Sequence, residues 1–158
     1  MDTPSFRHFA IATAFLGLKM CVLGGGISLV RGATSVFPTP EDEFFSRTLA
    51  YIRPKKSTGT PRTPDPNRAA RSSALIARLN ACLAHDVANV PILLILGFAY
   101  VATVRPTESE SARVFATLVL ARYAHSVVYL LQLQPYRFLA HVASIGTGIE
   151  MAIRILVA

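Results

Sequence analysis

The chain has 158 residues, 52% of them hydrophobic, and 16 Lys and Arg against 9 Asp and Glu give it a formal charge of +7. Its length suits one domain, but a mean hydropathy of +0.43 is too high for an ordinary soluble one. Its two cysteines are too few for a disulfide framework, and its basic run lacks the aromatic interleaving of a nucleic-acid surface, so no nucleic-acid partner is expected.

Residues 1–8 read as a short lead-in. Phe9 to Leu29, "FAIATAFLGLKMCVLGGGISL", then gives 21 residues with a single charge, Lys19. A hydrocarbon core about 30 Å thick needs roughly 20 apolar residues in helix, so this run predicts a first span over about 9–31, with Gly32 as its cap. The "ATA" at 12–14 leaves almost no apolar stretch before it, which argues against a cleaved signal peptide. Residues 32–71 form a polar connection. Its latter part, "RPKKSTGTPRTPDPNRAAR", combines four prolines with threonine and basic charge and has little capacity to form a core. This is the densest positive loop, so it is expected on the cytosolic side, with both termini opposite.

The second helix is predicted over about 72–104, where Val87 to Val104 supplies 18 residues without a charge. A soluble bundle would need a polar face at helical period on every helix, and this run offers none. "RPTESES" is a tight turn with Ser109 or Ser111 as the N-cap of a third helix over about 111–133. "QLQPYR" is the last turn, and its proline opens a fourth helix over about 136–158. The expectation is an all-α fold: a single-domain, four-helix transmembrane bundle.

Within these spans the polar residues are few. Arg122, His125 and Tyr129 fall at i, i+3 and i+7 on one stripe of the third helix. Arg, Lys or Asp at the centre of a span costs about 2.5–3.5 kcal/mol on insertion scales, so this stripe is expected to face the bundle interior. Asp86, with His85 at the cytosolic end of the second span, is a possible partner for Arg122; Lys19 lies in the first. Such a pair can simply clamp helices, and Arg31 and Arg137 can simply snorkel to head groups. Gathered at a cytosolic mouth with apolar walls, the same groups would instead suit a polyanionic ligand together with a lipid arriving sideways. Polar residues are too few for an ion pathway, and no metal site is expected.

"KMCVLGGGISLVRGATSVFPTPED" (19–42) resembles the first helix and following loop of the MAPEG family, membrane-associated proteins in eicosanoid and glutathione metabolism. The matching features are Lys19 and Met20, Arg31 twelve residues after the lysine, then Phe37, Pro40, Glu41 and Asp42. "LGFAY" (96–100), "ARYAHSVVYL" (121–130) and "PYR" (135–137) are similar to the family's second, third and fourth helices. The likeness is closest to the microsomal prostaglandin E synthase and glutathione transferase branch. It implies a homotrimer in the endoplasmic reticulum or another intracellular membrane, with glutathione as cofactor between adjacent subunits near the cytosolic face. By position Arg31, His125, Tyr129 and Arg137 line that site, Arg137 stabilises the thiolate, and Asp42 lies near it as a second catalytic residue. A lipophilic substrate would enter from the bilayer for conjugation, peroxide reduction or endoperoxide isomerisation.

The departures fall on the second helix. In "RLNACLAHDVAN", Ala81 and Ala84 stand where the family has arginines, His85 replaces an asparagine and Ala88 a glutamate. His85 can substitute as a donor to glutathione, and Phe138 stands where the synthase has a serine. Charge-assisted bonds contribute about 1.5–3 kcal/mol each, so these losses leave a second expectation open: a non-catalytic lipid-binding membrane scaffold of the same family.

Overall fold

The computed structural model describes residues 3–34 and 66–158. Four helices account for nearly all of them: α1 (Pro4–Thr34), α2 (Pro66–Thr103), α3 (Glu108–Leu130) and α4 (Gln134–Leu156). The two shortest have 23 residues each, about 35 Å at 1.5 Å per residue, enough to cross a bilayer core. α1, α2 and α4 are also apolar enough to be membrane spans on composition alone. α3 matches α4 in length, but carries Glu108 and Glu110 in its first turn and the buried Arg122 and His125 further on.

The helix ends differ from those expected, for local reasons. α1 starts at Pro4 rather than near residue 9, with proline in the first turn where no amide donor is needed. Ser5 Oγ donates to Pro106 O (3.1 Å) and His8 Nδ1 lies 2.9 Å from Ser111 Oγ, so the turn between α2 and α3 holds this extra length. Gly32 does not cap α1, which continues to Thr34. The N-cap of α3 is Thr107, not Ser109 or Ser111: its hydroxyl accepts from Glu110 N, and Glu110 Oε2 accepts from Thr107 N at 3.1 Å. That is a capping box, a signal present in "TESE" but masked by the adjacent serines. The tight turns leave Arg105 (φ 49°) and Gln132 (φ 63°) in the left-handed region, which disfavours non-glycine residues.

The helices pack antiparallel in sequence order. One apolar cluster joins Ala12, Tyr100, Val101, Val114, Phe115 and Met151; a second joins Leu16, Val90, Leu93 and Leu118. At Gly97 an added Cβ would come 3.0 Å from Phe115 Cε1 and 3.4 Å from Phe9 Cδ2, so the aromatic pair lies close against α2 and would have to shift by a few tenths of an ångström to admit a side chain.

Burial is inverted relative to a water-soluble bundle. Leu29 is 76% exposed, Ile95 70% and Leu120 69%, whereas Lys19, Asp86, Arg122 and His125 are buried. So large an apolar surface is incompatible with a monomer in water and suits one in lipid. The protein is a helical membrane bundle.

Two ends result. The C-terminus of α1, the N-terminus of α2, the C-terminus of α3 and the N-terminus of α4 share the end from which residues 35–65 depart. The other end is tied by Arg113–Glu150 and by Arg154 Nη1–Glu110 Oε1 at 3.0 Å.

Candidate functional site

The polar core begins with a clamp across three helices. Asp86 of α2, fully buried, pairs with Arg122 of α3, also fully buried. The sequence suggested this pair. What it did not suggest is that Lys19 of α1 joins it, with Nζ 2.8 Å from Asp86 Oδ2 and donating to Arg122 O at 2.7 Å. Two basic side chains thus converge on one carboxylate, and Arg122 Nη2 also reaches His85 O at 3.5 Å. Nη2 of Arg122 is therefore held by protein groups, while its Nε and Nη1 are buried without a hydrogen-bond partner.

Towards the loop end the stripe becomes aromatic. His125 is 1% exposed, its ring centroid 4.7 Å from that of His85 and 6.0 Å from that of Tyr129. His141 of α4, which the sequence reading passed over, lies 4.9 Å from His85 and 5.9 Å from His125. It follows Arg137 by four residues, so both occupy one face of α4, and that spacing was the available signal. Arg137 itself stacks on Tyr129, its guanidinium carbon 4.9 Å from the ring centroid. Both are half-buried, and Arg137 sits in the first turn of α4, where the helix dipole also favours an anion.

The rim of this end carries more cations and donors. Arg31 Nη2 donates to Asn80 Oδ1 at 3.5 Å, which joins the end of α1 to the start of α2. With its amide oxygen turned towards Arg78, Gln132 accepts from that guanidinium at 2.9 Å (Nη2) and through a shorter contact to Nη1. Ala81, Ala84 and Ala88 form an exposed stripe on α2.

The structure thus brings His85, His125, Tyr129 and Arg137 into one connected set, with Arg31 on the same end of the bundle. Asp42 and most of the basic connection lie outside the described residues. Two cavities of about 650 Å³ open at the opposite end, beside Thr3, Pro4, Phe6 and Glu108. A narrower apolar groove of about 230 Å³ runs between α2 and α4 from Asn89 past Ile92 and Leu96 to Ala152. Asn89 touches His85, so this groove starts beside the polar set.

The sequence model of the MAPEG family matches residues 9–157, nearly the whole chain. No curated protein matches it. A buried polar stripe inside a lipid-compatible four-helix bundle, and a family match spanning all four helices, lead to one conclusion: the chain belongs to the MAPEG family.

Proposed function

We propose that this protein is a glutathione-dependent membrane transferase, peroxidase or prostaglandin E synthase-like isomerase that presents a glutathione thiolate to a lipophilic substrate. The observation that carries the reading is the Arg137–Tyr129 stack at 4.9 Å, half-buried at the end of the bundle where Arg31 and Arg78 also gather. A thiol has an ordinary pKa near 8.5, so at neutral pH only a few per cent is thiolate. A guanidinium beside the sulfur, reinforced by the N-terminus of α4, favours the anion. The Tyr129 hydroxyl is a second donor to it, and Asp42 an acidic partner near it.

Arg31 offers a planar fork for a glutathione carboxylate. His125 packs beside Tyr129, its ring centroid 6.0 Å away, and His85 stands behind His125 at 4.7 Å. The α2–α4 groove, lined by Leu93, Leu96, Ile145 and Ile149 beyond Asn89, suits an apolar chain entering from the bilayer. In this reading the protein assembles as a homotrimer, and a neighbouring subunit covers the exposed Ala81–Ala84–Ala88 stripe to close a cleft around the tripeptide. The basic connection lies towards the cytosol, and an intracellular membrane such as the endoplasmic reticulum is its place.

A second reading has a specific observation behind it. That same stripe carries no charge to pair with the glutathione backbone, which favours a non-catalytic lipid-binding scaffold. Turnover separates the two. Purified protein in liposomes should conjugate glutathione to an apolar electrophile or reduce a lipid hydroperoxide. Arg137→Ala should lower kcat/KM by about 10²–10³ with the assembly intact, the loss expected when one electrostatic stabiliser of a reacting anion is removed. Lipid binding without turnover in the wild type establishes the scaffold.

A further inference from the structure

We propose that His85, His125 and His141 form a binding site for a divalent transition metal ion of the zinc type. One imidazole comes from each of α2, α3 and α4, and one candidate ligand nitrogen per ring can be chosen so that all three lie within 4.8 Å of one another. Zinc–imidazole bonds of about 2.0–2.1 Å put the nitrogens of a tetrahedral site about 3.3 Å apart, so each ring needs to move inward by about 1 Å or less. Small side-chain rotations supply that.

A second observation points to an occupant. Nδ1 of His125 and Nδ1 of His141 are buried with no hydrogen-bond partner, and His125 as a whole is 1% exposed. Buried nitrogens are normally satisfied, and an ion would use this lone-pair capacity. The third ring is held in place: the Asn89 amide donates to His85 O at 2.7 Å and lies 3.2 Å from His85 Nδ1. Arg122, whose Nη2 reaches His85 O, is paired with Asp86, but Lys19 shares that carboxylate, so the clamp keeps a net positive charge against which the three imidazoles must hold the ion. Borderline metals suit an all-imidazole set better than calcium or magnesium, which take oxygen ligands. Three protein ligands leave a fourth tetrahedral position for water or an exogenous donor. Such an ion would tie three of the four helices together at the loop end.

The test uses full-length, tag-free protein in detergent, chelated, then titrated with cobalt(II) or zinc(II) and passed through gel filtration. One ion per chain should be retained, cobalt should show a tetrahedral visible spectrum, and the thermal midpoint should rise. His141→Ala should lower affinity by more than about 100-fold, beyond what loss of an outer-shell partner costs. His141→Cys should keep binding and add a thiolate-to-cobalt absorption, while His8→Ala, at the other end of the bundle, should leave ion affinity and the cobalt spectrum unchanged. Failure of the folded wild type to retain an ion overturns the site, as does binding that survives His141→Ala. None of these readouts depends on glutathione or turnover.

Discussion

At the scale of single residues, the polar side chains divide into those that turn to each other and those that line the rim of the bundle. Arg122 and Arg137 look alike in sequence, two arginines bracketing an apolar helix end, yet their surroundings separate them. Arg122 is fully buried against Asp86, whereas Arg137 is half-buried on Tyr129 at the bundle rim. The i, i+3, i+7 spacing of Arg122, His125 and Tyr129 made their common stripe legible. The distance from Arg137 to that stripe was not, because spacing within one helix says nothing about how α4 is rotated against α3. The missing α2 charges lead to a prediction: Ala88→Glu restores a carboxylate for the glutathione amino group and should tighten glutathione binding about tenfold or more, measured by calorimetry. A charge-assisted bond of about 1.5–3 kcal/mol sets that scale.

Glu110 gives a prediction at the opposite, aqueous end. Its hydrogen bond from Arg154, then those from Thr107, hold its carboxyl at about 2, well below the usual 4.5. A depressed carboxylate adds stability above its unfolded value and loses it as pH falls through the folded one. Thermal midpoints should therefore drop as pH falls from about 4.5 towards 2, and Glu110→Gln should flatten that part of the profile.

At the scale of elements, the four helices were readable from apolar run length, because a bilayer sets a minimum of about 20 residues whatever the packing. Their ends were not. Pro4 and Pro66 begin helices because the first turn needs no proline amide, and Ser5 with His8 secures α1 against the α2–α3 turn. The clamp between helices makes an ordered prediction. Asp86→Asn leaves Lys19 and Arg122 without their carboxylate and should cost about 3–5 kcal/mol. Lys19→Met removes the bonds of Lys19 to Asp86 Oδ2 and Arg122 O but keeps the Arg122–Asp86 pair as a neutral unit, and should cost less, about 1–3 kcal/mol. Unfolding in detergent checks the order; equal costs for the two would mean that Asp86 does not hold the three helices together.

At the scale of the whole molecule, polarity is organised by end and by depth. Apolar side chains face outward along the bundle, and the charged clamp lies at its centre. Above the clamp, at the end of the bundle where α1 stops and α2 begins, stand the three imidazoles, Tyr129 and Arg137. The match of residues 9–157 to the MAPEG family fits this plan. The most direct measurement is the ultraviolet difference spectrum of the purified protein on addition of millimolar glutathione. A thiolate band near neutral pH is expected in the wild type, and its loss in Arg137→Ala of unchanged helical content. A correctly folded wild type that gives no thiolate band, or an Arg137→Ala variant that gives the full one, would contradict the glutathione reading.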